Sequence, residues 1–363
     1  MSVLAVEKSL LYTRLSTALK QRIEAGEWGY GAMLPSEHEL CEVYNVSRGT
    51  VRQAMAELEA EGLVRRERGR GTFLAHSGIQ TIPKLNHQST ISFIVPYVRD
   101  SFIPSILLGL ESIARHNGCS VVFNHVENDL SQQDEALRKA LSQGLDSIVL
   151  YPVSSQEAGP VLRDLAARRF PLVIVDRTIH GLQSDAVTSD NFGGGVIATQ
   201  HLLSLGHRHV AFLSWIEPAT SMEYRRLGYR QALQEAGLPN DPALEWEVVG
   251  YPDIDQTALE QRLLQTGRPT AIFAANDQLA MAVLRAARAA RLSIPDDLAL
   301  VGFDNLDISA QLDIPLTTIA QPAFEIGRVA GELVLMRLSQ EMHYIQKRIL
   351  PVQLIVRRSC GAI

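Results

Sequence analysis

The sequence predicts an α/β protein, in which a small N-terminal helical module precedes a doubly wound parallel sheet in two lobes. After residue 90, apolar β-rich runs alternate with longer amphipathic stretches, as in parallel α/β sheets: ISFIVP, SVVFNH, DSIVLYP, PLVIVD, HVAFLS, TAIFAAN and LALVGFD. Before residue 76, apolar residues instead recur at helical spacing. The polar stretch between these regions contains Pro83 and has no sustained period, which predicts a linker. We therefore expect domains at 1–76 and 90–363, joined by a linker at 77–89.

Composition excludes several classes of protein. The chain has 363 residues, of which 46% are hydrophobic and 20% charged, and its formal net charge is −6. This length is enough for two or three domains with buried cores. No apolar run reaches the ~18 residues that a membrane span needs. The three cysteines are too far apart for a disulfide framework or a CxxC metal site. These features predict a cytoplasmic protein with no membrane partner.

The N-terminal module contains a helix-turn-helix pattern. Four apolar residues at helical spacing predict a first helix: Leu11, Leu15, Leu19 and Ile23. In the following run, LPSEHELCEVYNVSRGTVRQAMAELEAEG, Ser36 to Glu39 predicts a capping box for a second helix, and Ser47 caps a third. The apolar stripe of the third helix should leave one polar set facing outward at its N-terminus: Arg48, Gly49, Thr50, Arg52 and Gln53. A recognition helix contacts DNA from that position.

A basic hairpin follows the third helix. The run LVRRERGRGTFL predicts two short strands joined by a Gly-Arg-Gly turn, with Arg70 at the tip. A guanidinium group between two glycines can approach a narrow groove closely. Residues 1–76 carry ten basic and ten acidic residues, but the positive charge is concentrated in this hairpin and on the third helix. Helices and hairpin together predict a winged helix-turn-helix whose partner is double-stranded DNA.

These motifs resemble those of the GntR family of bacterial regulators: LPSE-x-x-L, VSR-x-TVR, EGL and GRGT, over about residues 9–76. The resemblance implies DNA contacts by six residues: His38, Arg48, Thr50, Arg52, Arg70 and Gly71. The family usually has arginine at the position of His38, and neutral histidine is a weaker phosphate partner. Gly49 also replaces a position where many members carry a side chain, which removes one base contact.

The second module carries no motif of an enzyme. Walker A, HExxH and GxSxG are absent from the sequence. Gly193 to Gly195 favours close helix packing over phosphate binding. His201, His207 and His209 are better interpreted as helix-end and turn residues than as metal ligands, and no base is positioned beside Cys119. We expect no catalysis, no metal and no cofactor. The alternative from another class is an enzyme acting on sugars or nucleotides.

Polar residues instead follow the ends of the predicted strands, where ligands bind in open α/β sheets. This set comprises Asp100, Phe102, Asp176, Arg177, Arg225, Asn276, Asp304 and Gln321. Carboxylates, amides and arginines match adjacent sugar hydroxyls, and a phenylalanine covers the apolar face of a sugar ring. Asp277 is expected to cap its helix. The set predicts a small polar ligand.

Residues 90–338 resemble the LacI/GalR effector domain and the periplasmic sugar-binding proteins. The motifs that carry this resemblance are VDR, SDNFGGG, LLSLGHRHVAFL, RRLGY, FAANDQLA, IPDDLALVGFDN and TTIAQP. The resemblance implies sugar contacts by the strand-end residues, with Asn191 as a more peripheral contact. Ile103 stands where a second phenylalanine usually packs on the ring, and Tyr151 where an asparagine often reaches the sugar. A GntR head on a LacI-like body is the layout of the arabinose repressor group.

We therefore predict a sugar-responsive transcriptional regulator, a repressor that binds a pseudo-palindromic operator as a homodimer. Two recognition helices ~34 Å apart fit the two-fold symmetry of such an operator. A small neutral sugar, with a pentose favoured, would bind between the lobes and control operator affinity. The alternative is the same architecture sensing a nucleobase, a sugar phosphate or another non-sugar ligand. Arg177 and Arg225 could accept an anion, but neighbouring carboxylates would repel it. The segment after Arg337 is expected to add one strand.

Overall fold

The computed structural model describes most of the chain, namely residues 3–24, 28, 33–60, 63–67, 71–74, 89–156, 158–216, 219–249, 254–340, 342 and 344–362. The chain divides by its internal contacts into two compact units, Met1–Ile82 and Pro83–Ile363. Three of our expectations concern residues outside the described part: the helix end at Gly62, the wing tip at Arg70 and almost all of the linker at 77–89.

The first unit has the predicted helix-turn-helix and hairpin. Its elements are α1 (Val3–Glu24), α2 (Glu37–Tyr44), α3 (Arg48–Ala60), β1 (Val64–Glu67) and β2 (Gly71–Leu74). The capping box of α2 is formed, since the Ser36 hydroxyl accepts from the Glu39 amide and the Glu39 carboxylate accepts from the Ser36 amide. Asn45 adopts a left-handed conformation that ends α2. One apolar core joins the elements, with Leu19 and Leu58 fully buried in it.

The first unit contains a further backbone pairing that was not predicted. Met33 forms an isolated bridge with Phe73, and the Leu34 amide donates to the Thr72 carbonyl at 2.8 Å. The segment before α2 therefore adds to the hairpin on the side of β2. A single bridged residue has no run of apolar residues, so hydrophobic periodicity cannot indicate it.

The second unit alternates strands and helices. In chain order these are β3 (Thr90–Val95), α4 (Phe102–His116), β4 (Ser120–His125), α5 (Leu130–Ser142), β5 (Ser147–Leu150), α6 (Pro160–Ala167), β6 (Leu172–Val175), β7 (Asp185–Ser189), α7 (Asn191–Ser204), β8 (Val210–Trp215), α8 (Thr220–Glu235), β9 (Glu245–Val248), α9 (Gln256–Leu263), β10 (Ala271–Ala274), α10 (Asp277–Ala289), β11 (Ala299–Asp304), β12 (Thr317–Ala320), α11 (Ala323–Leu338), β13 (Lys347–Leu350) and β14 (Gln353–Ile355). All seven apolar runs form strands.

Two six-stranded sheets form two lobes. The N-lobe sheet has the order β13-β7-β6-β5-β3-β4 and is parallel throughout, and the C-lobe sheet has the order β14-β12-β11-β10-β8-β9. In the C-lobe sheet only β14 is antiparallel to its neighbour among the described strands. The chain crosses between the lobes after β7, after β12 and between β13 and β14.

The expectation of one C-terminal strand was wrong, because the last segment supplies one strand to each lobe. Arg337 fixes the C-terminal segment beside β7. Its guanidinium group donates to the Asp185 carboxylate at 2.6 and 2.8 Å and also to the Met342 carbonyl. Asp185 opens β7, which is polar at both ends, so an apolar-run criterion missed this strand. The Asp185 carboxylate can be buried because Arg337, far away in the sequence, neutralises its charge.

Close helix pairs support both sheets. In the N-lobe, α4 and α11 meet at Gly109 and Gly327, and in the C-lobe α7 and α8 meet at Gly195 and Gly228. The triple glycine at the start of α7 therefore serves close packing, as the sequence predicted. No described helix is long and apolar enough to cross a membrane.

We expect Gly327→Ala to destabilise the second unit, because an added Cβ would lie 1.8 Å from the Ile106 carbonyl oxygen. Overpacking of this kind typically costs ~1–3 kcal/mol. Urea unfolding followed by circular dichroism measures it. Gly49→Ala is the matched control, since its nearest neighbour would be 3.7 Å away and alanine favours a helix by ~0.5–1 kcal/mol. Equal stability of the Gly327 variant and the parent would contradict the close packing.

Candidate effector cavity and DNA-binding surface

The two lobes enclose a cavity of about 320 Å³ at the carboxyl ends of their strands. Eight of the nine predicted effector residues line it: Asp100, Phe102, Asp176, Arg177, Arg225, Asn276, Asp304 and Gln321. The N-lobe supplies the first four and the C-lobe sheet and its helices supply the others. These residues are spread over more than 200 positions of the chain and meet because parallel strands present their carboxyl ends at one edge.

The C-lobe end of the cavity is built around Asp304. Gln321 Nε2 donates to its Oδ1 at 2.7 Å, and Arg225 Nη1 lies 3.6 Å from the same oxygen. Burial raises the pKa of the Asp304 carboxyl well above its ordinary value, although the positive charge of Arg225 opposes this shift. Asp304 has a φ of 113°, a region that non-glycine residues avoid. Such strain is typical of residues held at binding sites.

Arg225 is fixed in place by the protein itself. Its side chain is 2% exposed, and its Cζ lies 3.7 Å from the centre of the Phe303 ring. Nε donates to Asn191 Oδ1 at 2.8 Å, and Nη1 donates to the Ala275 carbonyl at 2.6 Å. Asn191, the ninth predicted residue, is not among the described residues that line the cavity. It orients Arg225 instead of facing the ligand space.

The expectation that Asp277 caps α10 was wrong. Asn276 is the cap, because its Oδ1 accepts from the Leu279 amide at 2.9 Å. Asp277 is fully buried and accepts from the hydroxyls of Ser309 and Thr318 and from the Leu306 amide. Burial raises its pKa to about 6 despite these three donors. Asp277 thus ties the loop that follows Asp304 to the helix that follows Asn276.

Asp176, Arg177 and Tyr151 form one part of the N-lobe wall. The Arg177 Cζ lies 4.7 Å from the centre of the Tyr151 ring, Nη2 donates to the Tyr151 hydroxyl at 3.1 Å, and Nη1 donates to the Val153 carbonyl at 3.3 Å. Asp176 is 3% exposed and has a φ of 66°. Tyr151, which stands where related proteins often have an asparagine, therefore supports Arg177 with its ring.

Several lining residues were not predicted from the sequence, among them Tyr97, Trp215 and Gln278. Tyr97 follows β3 by two residues, Trp215 ends β8, and Gln278 lies in the first turn of α10. Their positions at or just after the ends of strands could have indicated that they line the cavity. The rings of Tyr97 and Trp215 add apolar surface to that of Phe102, which was the only aromatic residue expected at the site.

The N-terminus of α3 presents the predicted DNA-binding side chains, with one correction. Arg48 and Arg52 are exposed there, and Arg52 Nε donates to Glu37 Oε2 at 2.9 Å. Thr50 was expected to face outward but is only 7% exposed. Its hydroxyl lies 2.9 Å from that of Ser47, and its amide donates to the same Ser47 oxygen. Thr50 therefore helps to cap α3.

The remaining predicted DNA contacts lie on α2 and the wing. His38 is exposed, with Nε2 3.8 Å from Glu42 Oε1. Gly71 opens β2 with a φ of 129°, a conformation that a side chain would strain. Arg66, on β1, is held by the Glu59 carboxylate at 3.6 Å and donates to the Arg52 carbonyl. Arg66 therefore supports the recognition helix.

Comparisons with known proteins match both units. Residues 11–74 match the model of bacterial regulatory proteins of the gntR family, and residues 199–360 match that of a periplasmic binding protein-like domain. The arabinose metabolism transcriptional repressor of Geobacillus stearothermophilus is 30% identical over 372 aligned positions, which cover 98% of this chain and 100% of that protein.

Solved structures of transcriptional regulators share the fold of the second unit. A LacI family regulator from Enterococcus faecium with bound ribose is 28% identical, with a TM-score of 0.65, and the match covers 76% of this chain and 100% of that one. The complex of the regulator CelR with cellobiose is 25% identical, with a TM-score of 0.68, over 86% of this chain and 91% of that one. The full-length relatives are transcriptional repressors and not enzymes. The chain belongs to the family of transcriptional repressors that join a GntR-type DNA-binding domain to a periplasmic-binding-protein-like domain, the family of the arabinose metabolism repressors.

Proposed function

We propose that this repressor releases its operator when a small neutral sugar binds in the cavity between the lobes. DNA binding is assigned to residues 1–76, through Arg48, Arg52 and the wing, and effector binding to 90–363, with 77–89 as the linker. One observation carries the effector assignment. Arg177 Nε and Gln321 Oε1 are buried without a hydrogen-bond partner among the described residues. They lie on opposite lobes and both line the cavity, so a ligand with donors and acceptors would satisfy both.

The electrostatics of the cavity favour a neutral ligand over a phosphate. Three carboxylates and two guanidinium groups line it. Most of the arginine donors are already engaged, since Arg225 donates to Asn191 and Ala275, and Arg177 Nη1 and Nη2 donate to Val153 and Tyr151. Arg177 Nε is the exception, because it has no hydrogen-bond partner among the described residues. By contrast, the Asp176 carboxylate accepts no hydrogen bond from the described residues, and the nearest cationic atom, Arg177 Nε, lies 3.8 Å from its Oδ2. Carboxylates without donors repel anions and attract hydroxyl groups.

Among neutral sugars we favour a pentose. The relative from Geobacillus stearothermophilus is a repressor of arabinose metabolism, and the structural neighbour from Enterococcus faecium holds ribose. The neighbour CelR holds cellobiose, a larger sugar, so the size of the effector needs a direct test.

We further propose that the protein acts as a homodimer. One recognition helix contacts few base pairs, and two heads on a pseudo-palindromic operator provide the specificity that a regulator needs. Exposed apolar side chains on α4 and the edge strand β4 of the N-lobe support a self-association face: Leu108, Val122 and Phe123 are 60%, 38% and 38% exposed. An edge strand with exposed apolar residues is available for pairing with another chain. Sedimentation velocity of the full chain tests the stoichiometry.

The experiment that tests the effector is thermal unfolding of the full chain with L-arabinose, D-ribose, D-xylose, D-glucose, arabinose 5-phosphate and adenine. A ligand at 100 times its Kd stabilises the folded state by ~2.7 kcal/mol. We expect a selective rise in Tm with one neutral pentose, and release of a selected DNA site by the same sugar. A rise only with the phosphate or the nucleobase would overturn the neutral-sugar assignment. A rise with none of the six would contradict the proposed role of the cavity.

A further inference from the structure

Thr220, the first residue of α8, joins the two lobes beside the cavity. Its hydroxyl oxygen accepts from the Thr178 amide at 2.9 Å and donates to the Thr178 carbonyl at 3.2 Å. Its own amide donates to Ser155 Oγ at 3.0 Å. Ser155 and Thr178 follow β5 and β6 of the N-lobe, whereas Thr220 belongs to the C-lobe. Thr220 and Ser155 are 3% and 1% exposed, so these hydrogen bonds are shielded from water.

A second set of hydrogen bonds joins the lobes elsewhere, at the start of α4. Gln278 Nε2 donates to Asp100 Oδ2 at 2.8 Å, and the Asp307 amide donates to Ser101 Oγ at 3.2 Å. The other oxygen of Asp100 accepts from the Phe102 amide. Asp100, expected to bind sugar, thus has both carboxylate oxygens engaged by the protein.

These bonds are complete without a ligand. Thr220 is not among the described residues that line the cavity, although its neighbours Ala219 and Ser221 are. If the lobes separate, the buried groups at Thr220 and Ser155 lose partners that they have in the closed form. These hydrogen bonds therefore stabilise the closed arrangement, in which the two lobes are in contact as they are here. An effector that binds only the closed arrangement binds more tightly when a larger fraction of the protein is closed.

We propose that Thr220 is a positioning residue that holds the lobes closed before the effector arrives and so sets effector affinity. The part concerning affinity rests on the proposed sugar-binding function. The part concerning closure does not, because it is a property of the ligand-free protein.

The test of closure is hydrogen exchange of the ligand-free full chain. Thr220→Val keeps the shape of the side chain and removes its hydroxyl. We expect the Asp307 amide, which lies in the other set of contacts, to exchange roughly tenfold faster, since a lost buried hydrogen bond is worth about that factor. Ser101→Ala, the reciprocal change, should speed exchange of the Thr178 and Thr220 amides. Because Ser101 makes no side-chain capping bond to α4, that substitution should leave the helix intact.

Two variants serve as controls. Thr199→Val removes a hydroxyl that is equally buried but donates within α7, to the Gly195 carbonyl at 2.9 Å. It should leave exchange at Asp307 unchanged. Thr220→Ser retains the hydroxyl and should behave as the parent does. Wild-type exchange at Asp307 in a folded Thr220→Val protein, or equal acceleration by Thr199→Val, would overturn the proposal. If Thr220→Val does not fold, accelerated exchange in Thr220→Ser or unchanged exchange in Ser101→Ala would overturn it.

Effector binding gives a second readout, with L-arabinose as the probe and the fluorescence of Trp215 in the cavity wall as the signal. Thr220→Val should raise the dissociation rate about tenfold, and Thr220→Ser should restore it. An unchanged dissociation rate would contradict the link between closure and affinity. If L-arabinose does not bind the parent protein, the neutral sugar that raises its Tm replaces L-arabinose as the probe. If no neutral sugar binds, the proposed effector class fails, whereas the exchange experiment still decides whether Thr220 holds the lobes.

Discussion

Asp304→Asn is expected to abolish the response to the sugar while operator binding stays at the parent level. The substitution keeps the size of the side chain and an acceptor for Gln321, but it removes the negative charge that Arg225 faces and that the hydroxyls of the proposed sugar would meet. Hydrogen bonds to a charged group contribute ~1.5–3 kcal/mol each. Loss of two such bonds should weaken sugar binding by at least ~100-fold, which corresponds to ~2.7 kcal/mol. Isothermal titration with the sugar and fluorescence anisotropy with labelled DNA measure the two affinities separately.

Asparagine is preferable to alanine at this position. Alanine would leave Arg225 as a buried charge without its partner, which costs ~3–5 kcal/mol and endangers the fold. Asn191→Ala is an informative companion, because it releases Arg225 Nε and leaves every predicted lining residue in place. We expect Asn191→Ala to bind the sugar more weakly than the parent but more tightly than Asp304→Asn. Sugar binding within threefold of the parent in Asp304→Asn, or a parallel loss of DNA binding, would contradict the assignment of Asp304.

Measuring sugar affinity over a range of pH tests whether the negative charge of Asp304 is what binds the sugar. Burial raises the pKa of this carboxyl, and the nearby Asp277 and Asp100 carboxylates raise it further, while Arg225 lowers it. Sugar hydroxyls that donate to Asp304 favour the charged form, so binding requires deprotonation. Affinity of the parent should therefore fall as the pH is lowered through the raised pKa, and the Asn variant should lose this component.

Arg52→Ala is expected to cost ~1–3 kcal/mol of binding to a selected DNA site if this arginine contacts a base. Arg52 lies on the exposed face of α3, and Glu37 on α2 holds its Nε. This contact uses only Nε, so with α3 in the major groove the two Nη atoms would supply paired N–H donors that match the acceptors of guanine. Anisotropy on the selected site and on a scrambled duplex, each at several salt concentrations, measures the effect.

The pattern of the loss separates base contact from phosphate contact. Base contact predicts a larger loss on the selected site than on the scrambled duplex. Phosphate contact predicts uniform weakening, with the salt slope reduced by about one. Arg14→Ala removes the same charge from an exposed position on α1 and should affect neither duplex strongly. Unchanged affinity for both duplexes in Arg52→Ala would remove this residue from the interface.

Local sequence patterns were sufficient to predict much of the fold and of the cavity. The winged helix-turn-helix follows from caps, helical spacing and Gly-rich turn chemistry, all of which act within a few residues. The cavity follows almost as directly, because the carboxyl ends of parallel strands meet at one edge and the residues after them must converge. Asp176, Asp304 and Gln321 were identifiable for that reason alone.

Tertiary structure decided the partners of buried polar groups, because those partners come from distant parts of the chain. Asp277 looked like a helix cap, yet donors from the loop after β11 and from β12 make it a buried anchor. β7 lacks an apolar run and is held by Arg337, 152 residues away. The closing contacts of Thr220 with Ser155 and Thr178 are equally non-local. A buried polar side chain requires a hydrogen-bond partner, and spacing along one sequence does not specify which distant residue will supply it.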